Sequence, residues 1–277
     1  MTTALPDEAR GQGTARGRLQ GRRLIVLGAG QQTYGQADPP VGHGRAISVL
    51  AAREGASVFC VDRDADAAAE TAAAIVAEGG TAWASVADAS EEADVVRVLD
   101  EARMWLGDLD GLVHNVGIAE GQGLAGTSVE QWDRVFAVNV RSHFLACRHA
   151  LPRMPAGAAI VLVSSQAAFW PVGAWPAYNA SKAALSGLLL QVAKEGAALG
   201  IRVNAVAPGL MDTALGVHVA GDYPQRASTP VPLGRMGTAW EVAYPVVSLL
   251  STESSYITAQ TLLVDGGLTA LRTPAAP

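Results

Sequence analysis

Short β-branched runs alternate with longer Ala-rich stretches along most of the chain. Seven runs predict strands: Arg23–Leu27, Ser57–Val61, Thr81–Val86, Gly111–His114, Ala158–Val163, Ile201–Val206 and Thr261–Val264. Six stretches between them predict helices: Gly44–Arg53, Ala65–Glu78, Glu91–Leu106, Val129–Leu151, Pro176–Leu199 and Thr238–Leu250. Such alternation is typical of a parallel sheet covered by helices on both faces. We therefore predict a doubly wound α/β fold with a parallel seven-stranded sheet.

Three parts of the chain fall outside this alternation. Residues 1–20 are polar and rich in Gly and Arg, so they predict a disordered N-terminal tail, and residues 271–277 predict a C-terminal tail. No linker divides residues 21–270, which we expect to form a single domain. Within them, residues 210–235 contain three prolines and predict a substrate-binding loop over the strand ends, where open α/β sheets bind ligands.

Composition limits the classes of function. The 277 residues, 49% of them hydrophobic, can form one α/β domain with a large core. A net charge of −6 argues against nucleic acid, which requires a basic face. No apolar stretch reaches the ~18 residues of a membrane span, and the N-terminal residues lack the apolar core of a signal peptide. Cys60 and Cys147 form no disulfide framework or metal-ligand pattern, so we expect a cytoplasmic protein without a metal.

Tyr178 and Lys182 have a spacing that suits proton transfer. Residues i and i+4 of a helix lie on one face, so the phenol and the ammonium would point the same way. A free tyrosine has a pKa of about 10, which is too high for easy proton exchange near neutrality. A fixed cation nearby favours the phenolate and lowers that pKa toward the range of a general acid/base. Two ordinary residues of a surface helix would have the same spacing, so the hypothesis depends on other residues.

Ser165 follows the apolar run Ala158–Val163 and lies thirteen positions before Tyr178. A strand end, a loop and a helix can bring its hydroxyl and the phenol to one carbonyl oxygen. In this arrangement the chain resembles the single-domain short-chain dehydrogenase/reductase family, whose members carry Ser, Tyr and Lys at this spacing. The resemblance extends from about Leu24 to Gly267. It implies a Rossmann-type fold and an oxidoreductase that uses a nicotinamide cofactor.

The resemblance also implies the roles of four catalytic residues. Tyr178 would donate or accept the hydroxyl proton, and Lys182 would lower its pKa and hold the nicotinamide ribose. Ser165 would form a hydrogen bond with the substrate oxygen. Asn139 matches the fourth residue, which anchors a water molecule between Lys182 and solvent. An ordinary polar residue within a long helix is the alternative interpretation of Asn139.

The glycine-rich turn that binds the cofactor pyrophosphate in this family is divided in this chain. Five residues match its two halves: Gly28, Gly30, Gly42, His43 and Gly44. Thirteen residues separate Gly28 from Gly42 where the family has three, so residues 31–40 resemble an insertion of ten. An inserted surface loop costs little closure entropy, and the helix-opening half can still bind phosphate. We expect the insertion to cover the cofactor as a flap, and loss of phosphate binding is the alternative.

Asp62 ends the second predicted strand, where a carboxylate can bind both hydroxyls of the adenosine ribose and repel a 2′-phosphate. We therefore expect NAD(H) as the preferred cofactor, while NADP(H) is not excluded because Arg63 could receive that phosphate. The other implied cofactor contacts are Asp88, Ala89, Asn115, Gly117, Tyr178, Lys182, Pro208, Gly209, Leu210 and Thr213. His114 replaces an Asn of the family. It could perturb the cofactor ribose site, but we favour the interpretation of a hydrogen-bonded structural histidine.

Aromatic residues, among them Trp175, lie between Ser165 and Tyr178. They could form the apolar wall of a pocket for a bulky or cyclic alcohol, or equally a packed core or a subunit interface. The expected substrate contacts are Ser165, Gln166, Trp175, Tyr178, Met211 and His218. Small residues around Lys182 favour close helix packing, and with the resemblance they imply a homotetramer or a homodimer.

Three hypotheses about function follow. The first is an NAD(H)-dependent oxidoreductase that interconverts a secondary alcohol and a ketone, with Tyr178 as general acid/base. The second is an NADPH-dependent ketoreductase for acyl-thioester or polyketide substrates, against which Asp62 argues. The third is a catalytically silent nucleotide-binding regulatory or scaffold protein, which the catalytic residues disfavour and the divided glycine turn keeps open.

Overall fold

A parallel sheet forms the centre of the computed structural model, which describes residues 5–216 and 230–271. Its strands are β1 (Arg23–Leu27), β2 (Ser57–Asp62), β3 (Thr81–Val86), β4 (Gly111–His114), β5 (Ala159–Val163), β6 (Arg202–Pro208) and β9 (Thr261–Val264). They pair in the order β3-β2-β1-β4-β5-β6-β9. A separate parallel pair consists of β7 (Met211–Asp212) and β8 (Gly237–Thr238). The predicted seven-stranded parallel sheet is confirmed.

Helices cover both faces of the sheet. The α-helices of the described residues are α1 (His43–Arg53), α2 (Ala65–Ala77), α3 (Glu92–Leu106), α4 (Val129–Phe136), α5 (Ser142–Ala150), α6 (Pro176–Ala198) and α7 (Ala239–Leu250). Helices α1, α2 and α7 contribute to one apolar core, and α3, α5 and α6 contribute to the other. Strand β1 contributes Leu24 and Val26 to the first core and Ile25 and Leu27 to the second, because successive side chains of a strand point to opposite faces.

The strand order changes direction between β1 and β4, and their carboxyl ends are level. Leu27 pairs with His114, and His114 pairs in turn with Leu162 of β5. The loops that follow these three strands therefore leave the sheet side by side. In open α/β sheets this crevice is where ligands bind.

The helix predicted over Val129–Leu151 is interrupted. Helices α4 and α5 are joined by a π-helical segment, Ala137–Arg141, which contains the fully buried Asn139. Helix propensity gives no indication of this segment, because it depends on contacts that Asn139 makes with distant parts of the chain.

The N-terminal segment differs from the predicted disordered tail. Within residues 5–20, a 3₁₀ turn at Glu8–Arg10 buries Ala9, and Leu19 is fully buried. The main-chain carbonyl of Ala9 accepts a hydrogen bond of 2.7 Å from the Thr238 hydroxyl just before α7. These residues therefore pack onto the domain rather than extend away from it.

Glu54 explains why a polar segment packs so closely. Its fully buried carboxylate accepts hydrogen bonds from the main-chain N–H groups of Arg16 and Arg18, both at 3.0 Å, and from the Arg18 guanidinium at 2.8 Å. Burial alone would raise the pKa of Glu54, but these hydrogen bonds outweigh it and lower the pKa below the ordinary 4.5. A buried carboxylate that lost these partners would destabilise the fold.

Across the described residues, no helix is both long enough and apolar enough to cross a bilayer.

Arg18→Ala should lower the free energy of unfolding by about 1.5–3 kcal/mol, because it removes a hydrogen bond to a buried charged group. The loss should shrink as the pH falls below the ordinary Glu54 pKa of 4.5, since protonation of Glu54 removes the charge that Arg18 stabilises. Urea unfolding at several pH values measures both effects. Arg10→Ala is the matched control, because Arg10 pairs with Asp7 on the exposed surface of the same segment. Equal effects of the two substitutions would contradict the role of Glu54.

Candidate active site

The loops after β1 and β4 are held together at the crevice. The Asn115 side-chain amide donates a hydrogen bond of 2.9 Å to the main-chain carbonyl of Gly28. Gly44, in the first turn of α1, packs directly on that carbonyl: a Cβ atom on Gly44 would lie 1.9 Å from the Gly28 oxygen. Only glycine allows α1 to begin so close to the end of β1. This close approach gives a dinucleotide access to main-chain groups.

A cavity of about 270 Å³ lies at these loops. Twelve of the predicted cofactor contacts line it: Gly28, Gly30, Gly42, His43, Gly44, Asp62, Arg63, Asp88, Ala89, Asn115, Gly117 and Thr213. The Asp62 carboxylate accepts hydrogen bonds from the main-chain N–H groups of Gly30 at 2.9 Å and Asp64 at 3.2 Å. A fixed acidic group and close glycine main chain fit the adenosine half of a nicotinamide dinucleotide.

Residues 31–40 connect β1 to α1 without a regular helix or strand. Gln31, Gln32 and Tyr34 line the nucleotide cavity, although no motif indicated them. The Gln31 side-chain carbonyl accepts a hydrogen bond of 3.1 Å from the Gly42 N–H, at the start of α1. The Gln36 side-chain amide donates one of 3.2 Å to the main-chain carbonyl of Ala214. The segment therefore contacts both the start of α1 and the chain that follows β7.

A second cavity, of about 150 Å³, adjoins the first. Its lining includes these predicted residues: Ser165, Gln166, Trp175, Tyr178, Lys182, Pro208, Gly209, Leu210, Met211 and Thr213. His43, Asn115, Gly117 and Thr213 line both cavities, which makes them adjacent halves of one crevice. Val172, Leu215 and Gly216 also line the second cavity and were not predicted. His218 lies outside the described residues.

Tyr178 and Lys182 lie one turn apart on α6 and face the second cavity. The Lys182 ammonium lies 5.7 Å from the centre of the Tyr178 ring and donates a hydrogen bond of 3.2 Å to the Val163 carbonyl. Burial lowers the pKa of Lys182 to about 8. The ammonium is therefore a cation that titrates close to the physiological range.

Ser165 follows β5, and its side chain is held at the same cavity. Its hydroxyl oxygen accepts a hydrogen bond of 3.1 Å from the Ala167 N–H, which caps a 3₁₀ turn at Gln166–Ala168. That local contact fixes the side chain while leaving the hydroxyl hydrogen available to donate. Ser165 can therefore donate to a carbonyl oxygen that enters the cavity.

The side-chain amide of Asn139 makes three hydrogen bonds within the protein. Its side-chain carbonyl accepts from the Ile118 N–H at 2.8 Å, and its NH₂ group donates to the Ile118 carbonyl and the Ser181 hydroxyl, both at 2.9 Å. These bonds join the π-helical segment to the loop after β4 and to α6. Both N–H donors of the amide are used, so the side chain could hold a water molecule near Lys182 only through the second lone pair of its oxygen. The side chain also positions the surrounding elements.

The aromatic residues before Tyr178 have different environments. Trp175 lines the second cavity, whereas Phe169 and Trp170 are exposed and are not among its lining residues. Only part of the aromatic cluster can therefore form a pocket wall.

Known proteins resemble this chain over most of its length. A family profile described as "Enoyl-(Acyl carrier protein) reductase" matches residues 40–269. The 2-(S)-hydroxypropyl-CoM dehydrogenase 3 of Xanthobacter autotrophicus is 34% identical over 92% of this chain and 99% of that protein. The 3beta-hydroxysteroid dehydrogenase 1 of Eggerthella lenta is 35% identical over 91% of this chain and 95% of that protein. A short-chain dehydrogenase/reductase structure from Serratia marcescens has a TM-score of 0.83 at 33% identity, covering 91% of this chain and 100% of that chain.

The protein is an oxidoreductase that acts on CH–OH groups. It belongs to the short-chain dehydrogenase/reductase family, whose members use NAD(P)(H).

Gly44→Ala should destabilise the protein by about 1–3 kcal/mol and weaken dinucleotide binding, because the new methyl group overpacks the site at the Gly28 carbonyl. Gly187→Ala in α6 is the matched control, since a Cβ atom there meets nothing within 4 Å. That control should be stabilising by about 0.5–1 kcal/mol, the usual gain when Ala replaces Gly in a helix. Urea unfolding and calorimetric titration with NAD⁺ measure the two effects. Equal behaviour of the variants would exclude a close-packing role for Gly44.

Proposed function

We propose that this protein is an NAD(H)-dependent dehydrogenase that interconverts a secondary alcohol and a ketone. The observation that carries the proposal is the shared cavity of Ser165, Tyr178 and Lys182, which adjoins the nucleotide cavity. A hydroxyl, a phenol and a buried ammonium from two separate elements face one space there. When bound, the dinucleotide accepts or supplies the hydride.

The chain's own residues control the proton and the orientation of the substrate. Ser165 donates a hydrogen bond to the reacting oxygen. Tyr178 takes the hydroxyl proton during oxidation and returns it during reduction. The Lys182 ammonium favours the phenolate form of Tyr178, as a nearby fixed cation does for any phenol. Asn139 keeps α6 and the loop after β4 in place around them.

Asp62 supports NAD(H) as the preferred cofactor. The Gly30 and Asp64 N–H groups hold its carboxylate at the nucleotide cavity, where its charge opposes a 2′-phosphate. Arg63 lines the same cavity, and its charge favours NADP(H). We propose further that residues 31–40 act as a flap, supported by the contact of Gln36 with Ala214.

The second cavity suits an uncharged, bulky or cyclic substrate. Its described lining includes Val172, Trp175, Leu210, Met211 and Leu215, which offer apolar contact area. Of the Lys, Arg, Asp and Glu residues that the structure describes, Lys182 alone lines this cavity. The relative from Eggerthella lenta is named for a polycyclic alcohol, a 3beta-hydroxysteroid, which is the same class of substrate. Gln166 provides a polar contact beside Ser165.

A ketoreductase for acyl-thioester substrates is the second candidate. The description of the matching family profile, which refers to acyl carrier protein, and the position of Arg63 favour it. Turnover of a 3-oxoacyl thioester with NADPH but not NADH would select this candidate over the first.

We also propose a homotetramer or a homodimer. Exposed apolar side chains on three helices support it: Val129 and Trp132 of α4, Phe144 of α5 and Leu190 of α6. The buried free thiols of Cys60 and Cys147 fit the proposed cytoplasmic location.

Tyr178→Phe should reduce kcat by about 10²–10⁴-fold, the usual contribution of a general acid/base, while the Kd for NAD⁺ stays nearly constant. A panel of cyclic and acyclic secondary alcohols, followed by the absorbance of reduced nicotinamide, measures turnover. Tyr256→Phe is the matched control, because Tyr256 is fully exposed. Wild-type turnover in Tyr178→Phe would refute the mechanism. Absence of turnover in the wild type across both substrate classes would support the silent nucleotide-binding alternative.

Asp62→Ser should reduce the preference for NAD⁺ over NADP⁺ by about tenfold, which corresponds to roughly 1.4 kcal/mol. Calorimetric titration with each dinucleotide gives the two Kd values. Asp66→Ser is the control, because Asp66 is an exposed acid in the first turn of α2. The same ratio of Kd values in both variants would assign cofactor choice to another residue.

A further inference from the structure

Two histidines that the proposed mechanism does not use are stacked in the protein interior. His114 ends β4, and His143 lies on α5. Both side chains are fully buried, and their ring centres lie 3.7 Å apart with an angle of 31° between the planes. The sequence interpretation of His114 as a hydrogen-bonded structural histidine requires partners for its ring nitrogens.

Among the described residues, those partners are weak. Both nitrogens of His114 and Nε2 of His143 are buried and have no hydrogen bond of normal geometry to a described residue. Weaker contacts with the main chain of Ser142 and His114, and of Asn139, raise the pKa values of the two rings less than burial lowers them. The fourth nitrogen, Nδ1 of His143, lies 3.4 Å from the Ser142 hydroxyl oxygen, a long contact. An unpaired buried polar atom costs about 1–3 kcal/mol, whereas two apolar rings would carry no such cost. In native proteins such atoms are usually hydrogen-bonded to internal water.

The pair lies near the catalytic lysine. Gly117 follows His114 by three residues, and a Cβ atom on Gly117 would lie 3.3 Å from Lys182 Nζ and 3.6 Å from Asn139 Oδ1. Asn139 lies in the π-helical segment that joins α4 to α5. His143 follows it by four residues, in the first turn of α5. His114 and His143 therefore belong to the two chain segments that enclose the Lys182 ammonium.

The charge of Lys182 acts on both rings. Burial and then the Lys182 charge lower the pKa of His114 to about 3. Burial, His114 and Lys182 lower the pKa of His143 well below its ordinary value. Both imidazoles are therefore neutral at physiological pH, and each provides one N–H donor and one acceptor nitrogen. Such a pair can bind water without adding a charge near Lys182.

On the side away from the second cavity, Lys182 has one hydrogen-bond acceptor among the described residues, the Val163 carbonyl. Its ammonium has three donors, and the Val163 carbonyl is the acceptor for one of them. The titratable groups that face it are Tyr178 from its own helix, His114 from β4 and His143 from α5. Burial alone accounts for the lowered pKa of Lys182, and no carboxylate of the described residues opposes it. Internal water would therefore make a large difference to this ammonium.

We propose that His114 and His143 hold internal water that hydrates the Lys182 ammonium from inside the protein, which makes them positioning residues for the proton transfer at Tyr178. The proposal rests on the proposed role of Lys182. No covalent bond changes at the histidines. Loss of the water would lower the pKa of Lys182 further and weaken its stabilisation of the Tyr178 phenolate.

The test uses His114→Phe and His143→Phe, which keep the stacked rings and remove the nitrogens. The pH midpoint of alcohol oxidation should rise by about one unit in each variant, while the KM for the dinucleotide changes less than about twofold. Tyrosinate absorbance provides a readout without substrate. The wild type and each variant are titrated with and without an added Tyr178→Phe substitution, and the difference gives the titration of Tyr178. Its midpoint should rise by the same one unit. His149→Phe is the control, because His149 lies on the same helix and contacts Glu92 at the surface.

His114→Asn introduces the residue that the family has at this position. This variant should keep the wild-type pH midpoint of alcohol oxidation, because the Asn amide can still bind water. A high-resolution crystal structure of the wild type should show ordered water about 3 Å from the ring nitrogens. This measurement does not require any variant to fold. Absence of ordered water at the ring nitrogens would overturn the proposal. So would an unchanged Tyr178 titration in His114→Phe and His143→Phe. The same would follow if His114→Asn shifted the midpoint as far as His114→Phe does.

Failure of this proposal can be separated from failure of the proposed function. Normal turnover in Tyr178→Phe would refute the function itself. Turnover that depends on Tyr178 but is insensitive to His114 and His143 would refute only the role of the histidine pair.

Discussion

The alignment of the carboxyl ends of β1, β4 and β5 determines the rest of the site. The ladder of hydrogen bonds pairs Leu27 with His114 and His114 with Leu162, so three loops leave the sheet side by side. One carries the glycine turn, one carries Asn115, and one carries Ser165. Because a shift of one residue would turn each strand's side chains to the opposite face, both apolar cores hold the register that the site needs. The chemistry therefore depends on packing far from the cavity.

The sequence predicted the sheet well for a physical reason. Strands buried on both faces are almost continuously apolar, and this pattern is visible without a structure. The π-helical segment has no such pattern, because it depends on the hydrogen bonds of Asn139 with Ile118 and Ser181. The packing of residues 5–20 was missed for a related reason. Their N–H groups donate hydrogen bonds to the buried Glu54 carboxylate. The pattern of apolar residues in a sequence does not indicate such hydrogen bonds.

The candidate site also has a part that the sequence indicates and a part that it does not. The sequence could bring Tyr178, Lys182 and Ser165 to one cavity because the proposed chemistry requires fixed residue types at fixed spacing. Gln31, Gln32 and Tyr34 could not be predicted, since they reach the nucleotide cavity from a segment without a motif. The sequence shows that His114 replaces an Asn, but it cannot show the stacking of His114 on a residue of another element. Nor can it show that the ring nitrogens are buried without a hydrogen bond of normal geometry to the described residues.

The buried Lys182 also has a consequence for the stability of the whole protein. Its pKa is about 8 in the folded chain and 10.5 in the unfolded one, so between those pH values the unfolded state binds more protons. Unfolding therefore becomes less favourable as the pH rises through this window, and at neutral pH the charged ammonium opposes folding. A more stable relative of this protein could be obtained by an apolar residue at this position, but it would lack the cation beside Tyr178. Lys182 therefore destabilises the fold at neutral pH, whereas in the proposed function it supplies the cation beside Tyr178.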